Sequence, residues 1–111
     1  MKESEKFLII KYMKSFIFSL DTNLKNFPNR DRVLKSRIEN TSYDLLELIT
    51  LTNMSKLKDD KRYVISSKLS MLDFYFEVAL KKKYISEKKC NHYCSAILML
   101  SKMTYGWIKN G

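Results

Sequence analysis

Apolar residues recur every three or four positions along four segments of this chain, the spacing that places side chains on one face of an α-helix. The segments run from about residue 4 to 24, 30 to 53, 61 to 83 and 87 to 109. Short links between consecutive helices favour antiparallel neighbours. The pattern therefore predicts an all-α, up-and-down antiparallel four-helix bundle, with residues 1–111 forming a single domain.

Each predicted helix has one inner stripe of mostly apolar residues. The stripes consist of Ile9, Met13, Phe16, Leu20 and Leu24; Leu34, Ile38, Thr41, Leu45, Leu48, Ile49 and Thr52; Ile65, Leu69, Leu72, Phe76 and Ala79; and Cys90, Tyr93, Ile97, Leu100, Thr104 and Trp107. The third helix carries a second stripe of Met71, Phe74, Tyr75 and Val78. A helix that is apolar over most of its girth either lies centrally in the bundle or packs against another subunit.

Local signals mark the ends of the helices. Pro28 disfavours a helical conformation at Phe27, and Asn29 is expected to cap the second helix. Ser86 is expected to cap the fourth, with Glu87 favourable at the positive end of the helix dipole. Near the end of the fourth helix, Gly106 is expected to let Trp107 approach a neighbouring backbone.

The composition argues against catalysis. Two glycines cannot build a glycine-rich phosphate loop, and scarce Gly and Pro disfavour a turn-rich β-sandwich. His92 is the only histidine, and no serine lies in a nucleophile elbow. Cys90 and Cys94 share one helical face and read as small buried thiols in a reducing compartment. We therefore predict a protein that is not an enzyme and uses no cofactor and no metal.

The net charge of +9, from 21 basic and 12 acidic residues, is strong for a chain of 111 residues. Such a field favours a polyanionic partner, most commonly nucleic acid. An anionic membrane, an acidic protein, or solvated lysine-rich faces are the alternatives. Tyrosines near these cations offer stacking surfaces for unpaired bases. They are Tyr63, Tyr84 and Tyr93. For each tyrosine taken singly, packing in the core or at a helix end is the more common role.

Two groups of cations are the candidate nucleic-acid-binding residues. One crowds the start of the second helix, where positive charge opposes the helix dipole and costs stability, which suggests a use for it. The other surrounds the link between the third and fourth helices. The two groups are Arg30, Arg32, Lys35 and Arg37, and Lys81, Lys82, Lys83, Lys88 and Lys89. We expect them to neutralise phosphates and not to read bases.

The apolar segments are too short to cross a bilayer, and Phe7-Leu8-Ile9-Ile10 lacks the features of a signal peptide. These observations predict a cytoplasmic protein without a membrane partner.

Several of these segments, taken in order, are similar to a known family. The family's "FP…L…RI…LLELI" pattern resembles three segments of this chain. They are Asn26-Phe27-Pro28 through Leu34, then Arg37-Ile38, then Leu45-Leu46-Glu47-Leu48-Ile49. Gly106-Trp107-Ile108-Lys109 resembles the closing "GGW(I/L)K". This is the four-helix bundle family that includes Avd, the accessory variability determinant of diversity-generating retroelements. Proteins encoded in intervening sequences of bacterial ribosomal RNA genes form its sister branch.

The resemblance implies a basic homopentamer without a catalytic centre. It also implies binding to the retroelement's reverse transcriptase and to RNA or an RNA–cDNA hybrid, in support of mutagenic cDNA synthesis. Asp73 and Glu77 fall where Avd-like proteins often carry arginines, so the expected cationic surface moves to the two groups named above. A protein of the ribosomal RNA-linked branch and an interaction module for an acidic partner are the alternative functions.

Overall fold

The computed structural model describes residues 3–25, 27–28, 31–54 and 61–110. It contains the helices α1 (Glu3–Leu24), α2 (Arg32–Met54), α3 (Lys61–Lys81) and α4 (Glu87–Asn110). Each helix packs against its neighbours in the chain, and α1 and α4 close the ring. The predicted all-α bundle of four helices is confirmed.

Cross-helix contacts show that neighbouring helices are antiparallel. The Lys82 ammonium, just after α3, contacts Asp31, just before α2. At the other end, a guanidinium N–H of Arg62 at the start of α3 donates to the carbonyl of Trp107 at the end of α4, at 2.7 Å. The starts of α2 and α4 therefore lie at the same end of the bundle as the ends of α1 and α3.

The start of α2 differs from the sequence-based prediction. Asn29 and Arg30 lie outside the described residues, and the helix begins at Arg32. Asp31 takes the capping position, because its carboxylate accepts a hydrogen bond from the backbone N–H of Leu34 at 3.3 Å. Asp31 also contacts the α3–α4 link, which the local pattern of α2 could not indicate.

The link between α3 and α4 is a tight turn. Lys83 adopts a left-handed conformation with φ 62°. Its N–H donates to the Leu80 carbonyl, and that of Tyr84 donates to Ala79, both at 2.9 Å. This is the Schellman arrangement that ends many helices, and it ends α3 at Lys81, two residues before the predicted boundary. The predicted Ser86 cap is confirmed, since the Lys89 N–H donates to the Ser86 hydroxyl at 3.2 Å.

An aromatic cluster joins three helices in the core. The rings of Phe76 and Tyr93 stack with centroids 4.7 Å apart, and Phe16 meets both edge-on. The buried Tyr93 hydroxyl donates to the Ser19 carbonyl at 3.0 Å and accepts from the amide of Asn23.

All of the predicted inner residues are buried except Thr41 and Leu48, which are half-buried. In α2, Ser42 is buried instead, and its hydroxyl donates to the Ile38 carbonyl.

The second apolar stripe of α3 is not enclosed by the other helices. Phe74 is 53% exposed and Met71 is 44% exposed, whereas Tyr75 and Val78 are half-buried against the core. Because Phe74 and Met71 remain exposed, the central position considered for α3 is excluded. Within the described part of the chain, no helix combines the length and apolar character needed to cross a membrane.

The expectation for Gly106 is wrong. Apart from its two chain neighbours and the nearby backbone of α4, a Cβ built at this position would meet no atom within 4 Å, so no close approach of another backbone requires glycine. Glycine within a helix costs about 1 kcal/mol relative to alanine. We therefore expect Gly106→Ala to raise the free energy of unfolding by about 0.5 to 1 kcal/mol, as measured by urea denaturation. A destabilised variant would show that Trp107 needs the flexibility of glycine beside it.

Candidate nucleic-acid interface

The described members of the two groups of candidate cations lie at one end of the bundle. The fold brings the start of α2 beside the α3–α4 link, although about fifty residues of chain separate them. We call this end the basic end. Its described candidate cations are Arg32, Lys35, Arg37, Lys81, Lys82, Lys83, Lys88 and Lys89. Arg30, the remaining candidate, lies outside the described residues.

Most of these side chains are available to a ligand. Arg32 and Arg37 are exposed on α2, and Lys35 is half-buried. Lys81 and Lys83 are exposed at and just after the end of α3. Lys88 and Lys89 are exposed in the first turn of α4. The exposed cations are thus spread over one end of the bundle, which suits an extended polyanion.

Lys82 differs from its neighbours because it holds the basic end together. Its ammonium lies 2.8 Å from a carboxylate oxygen of Asp31, and the Tyr84 hydroxyl donates to the same oxygen at 2.9 Å. The Tyr84 ring also packs against Phe27, with centroids 5.3 Å apart. Asp31 thus joins the cap of α2 to the α3–α4 link, and it partly neutralises Lys82 as a phosphate ligand.

These contacts lower the pKa of the Asp31 carboxyl, chiefly through the hydrogen bond from Lys82 and then through those from Tyr84 and Leu34. A carboxyl whose pKa is lower in the folded state stabilises the fold above its unfolded pKa, and this contribution is lost as the pH falls through the folded value. We expect Asp31→Asn to lower stability at neutral pH and to flatten its decline below about pH 4. Thermal unfolding over a pH series measures both effects.

Glu47→Gln provides the matched control, because it removes an exposed charge from α2 without affecting the cap. An acid decline as steep in Asp31→Asn as in the parent would show that the contacts of Asp31 do not stabilise the folded state.

A groove between α2 and α3 extends the cationic surface along the side of the bundle. Its volume is about 460 Å³. Candidate residues Arg32 and Arg37 line it from α2, whereas Lys68 and Tyr75 line it from α3. Sequence reasoning did not identify these two α3 residues as part of the site, because each is unremarkable until the helices are placed side by side.

Arg32 also borders a smaller groove, of about 290 Å³, which is formed by the α1–α2 link and the first turns of α2. Phe27, Pro28, Lys35 and Glu39 are among the residues that line it. Because Arg32 borders both grooves, it lies on the ridge between them. The side chain of Lys35 therefore faces a different groove from that of Arg37.

The tyrosines considered as stacking surfaces occupy different environments. Tyr93 is 1% exposed in the core, so it cannot stack on a base. Tyr84 is half-buried and held by Asp31 and Phe27. Tyr63 is 60% exposed, but it lies in the first turn of α3, at the end of the bundle opposite the basic end.

The cysteines lie between α3 and α4 as free thiols, with sulfurs 3.9 Å apart. Burial, together with a hydrogen bond to Asp73, raises the pKa of the Cys94 thiol to about 12. The thiol is therefore protonated at neutral pH and is a poor nucleophile. Across the described residues, no group of three or more His, Cys, Asp or Glu side chains is arranged to hold a metal ion.

Comparisons with protein-family models, with curated proteins and with solved structures find no match for this chain. The resemblance to Avd-like proteins therefore stays a prediction that rests on the quoted sequence segments alone.

Proposed function

We propose that this protein is a non-catalytic, RNA-binding accessory protein of a diversity-generating retroelement. In this proposal the basic end and the adjoining α2–α3 groove hold template RNA, or an RNA–cDNA hybrid, for a reverse transcriptase. The bundle supplies a rigid cationic surface, and the polymerase supplies the chemistry.

One observation carries the RNA-binding part of the proposal: two basic segments that are distant in sequence lie at the same end of the bundle. Like charges gathered on one surface repel one another and destabilise the fold. Lys88 and Lys89 add to this cost, because they lie in the first turn of α4, near the positive end of its dipole. A phosphate backbone would offset both costs when it binds.

The geometry favours recognition of the backbone over recognition of bases. An exposed lysine ammonium is a compact point charge that can pair with a phosphate but does not by itself read a base edge. We therefore expect affinity that varies little with sequence and falls steeply with salt, with a slope of about −0.7 for each phosphate neutralised on a single strand.

The reverse transcriptase partner and the homopentamer come from the resemblance to Avd-like proteins. The exposed Phe74 and Met71 on α3 supply an apolar surface that would support association of subunits. The alternatives for this bundle are membership of the ribosomal RNA-linked branch and binding to an acidic protein.

The proposal is tested by binding of labelled RNA over a series of salt concentrations, followed by fluorescence anisotropy. A linear fall of log affinity with log salt, with a slope of about −3 or steeper, is the expected result. Affinity that does not change with salt would refute the electrostatic mechanism. Retention of the reverse transcriptase after nuclease treatment would show direct contact between the proteins, and loss of the polymerase would assign the association to RNA.

A further inference from the structure

The α2–α3 groove differs chemically from the rest of the cationic surface. The exposed lysines of the basic end offer charge alone, whereas the groove combines cations with an aromatic wall and neutral polar groups. Its volume of about 460 Å³ is within the range of about 300 to 1,000 Å³ that is typical of small-ligand sites. A single nucleotide is a ligand of this size.

The cations in the groove suit a phosphate. Arg32 and Arg37 are exposed, and a guanidinium can donate two parallel hydrogen bonds to phosphate oxygens. Asp44 is the acid that lines the groove, and its carboxylate lies 3.7 Å from the ammonium of Lys68. Its repulsion of a phosphate is thereby reduced, and the two arginines leave the groove with excess positive charge.

The remaining lining suits a base. Tyr75 is half-buried and lines the groove beside Met71, so an aromatic ring and a thioether form an apolar wall. Asn40 contributes an amide, and Ser36 and Thr41 contribute hydroxyls, which can bond to polar atoms of a base or a ribose. A base within a duplex is already stacked and paired, so only an unpaired base can use this wall.

The groove is continuous with the basic end. Arg32, the first residue of α2, lines the groove and lies next to Asp31, which contacts Lys82. On α3, Tyr75 is six residues before Lys81, a rise of about 9 Å along the helix axis. A strand bound to the lysines at the basic end can therefore place a neighbouring nucleotide in the groove.

From this combination we infer that the α2–α3 groove binds one unpaired nucleotide of a single-stranded RNA. Arg32 and Arg37 hold the phosphate, and the base lies against Tyr75. The inference rests on the proposed RNA-binding function and adds a preference for single strands, which the basic end alone would not produce.

The test compares two labelled probes by fluorescence anisotropy: a short oligoadenylate, and the same strand paired with oligouridylate. We expect the parent protein to bind the single strand about tenfold more tightly than the duplex. Tyr75→Leu keeps an apolar side chain against the core but removes the ring. It should lower the affinity for the single strand by about tenfold and leave the affinity for the duplex unchanged.

Two further variants control for folding and for position. Tyr75→Phe retains the ring and should retain the preference. Tyr63→Leu removes an exposed tyrosine from the same helix outside the groove and should also retain it. The preference of the parent protein is measured without any variant, so the inference can be tested even if Tyr75→Leu does not fold.

The possible failures are distinguishable. Equal affinity of the parent for both probes, or a preference that survives in a folded Tyr75→Leu, would overturn the inference while leaving the proposed RNA binding intact. Competition by oligoglutamate as strong as that by oligoadenylate would assign the groove to an acidic protein and also overturn it. If neither probe binds at low salt, the proposed function fails, and the inference fails with it.

Discussion

Reversing three lysines at the basic end, in the variant Lys83→Glu/Lys88→Glu/Lys89→Glu, is expected to weaken RNA binding by about a hundredfold at low salt. A cation at an anionic surface contributes about 1 kcal/mol, and each lost phosphate contact lowers the salt slope of a single strand by about 0.7. The slope should therefore fall by about 2. Fluorescence anisotropy over a salt series measures both quantities.

The same three changes should not harm the fold. Lys83 is exposed, and its left-handed backbone conformation is no more strained with glutamate than with lysine. Glutamate near the start of α4 is favourable to the helix dipole. Lys89→Glu also places a carboxylate three residues after the Ser86 cap, the position that it takes in a capping box. Stability and RNA affinity should thus change in opposite directions.

The matched control is Lys11→Glu/Lys14→Glu/Lys102→Glu, which reverses three exposed lysines away from the basic end. Each Lys→Glu change removes one positive charge and adds one negative charge, so both variants lower the net charge from +9 to +3. The control should lose much less affinity, since a local interface depends on where charge lies. Equal losses in the two variants would show that RNA responds only to net charge and would exclude the basic end as the binding surface.

Phe76→Ala is expected to lower the free energy of unfolding by about 3 to 5 kcal/mol. Phe76 is 1% exposed, stacks on Tyr93 and meets the edge of Phe16, so truncation leaves a cavity where three helices meet. Loss of this size is a large fraction of the stability of a small domain, about 5 to 15 kcal/mol. Urea denaturation followed by circular dichroism measures the change.

Phe74→Ala is the matched control, because it is the same substitution two residues away on α3, where Phe74 is 53% exposed. In an isolated bundle it should cost about 0.5 kcal/mol or less. If subunits associate through this face, Phe74→Ala should instead shift the mass measured by light scattering towards the monomer. Similar losses of stability in monomeric Phe74→Ala and Phe76→Ala would contradict the assignment of the core.

The sequence pattern was sufficient to predict the helices, because burying an apolar face requires a period that is visible in the residues themselves. It also predicted the inner stripe of α3 and the Ser86 cap, which depends on residues within one turn. The pattern was less informative for α2, where Ser42 is buried in place of Thr41. Small polar residues that bond to their own helix carry little hydropathy signal, so their burial is hard to predict.

Predictions that depended on a distant partner were less complete. Asp31 looks like an ordinary acid in the sequence, and its role as cap and as ligand to Lys82 and Tyr84 requires the α3–α4 link to lie beside it. The prediction for Gly106 failed for a related reason, since the room available at a position depends on which other helices pack around it, and the local sequence does not specify this.

The residues of this chain determined on their own the four amphipathic helices and the concentration of positive charge in two short segments, since both follow from local periodicity and composition. The tertiary structure alone decided that the two segments form one basic end, that Lys82 is partly neutralised by Asp31, and that Arg37 and Tyr75 line the same groove. The physical reason is that helix periodicity specifies which face of a helix is buried, whereas contacts between helices also depend on the azimuth and register at which the faces pack.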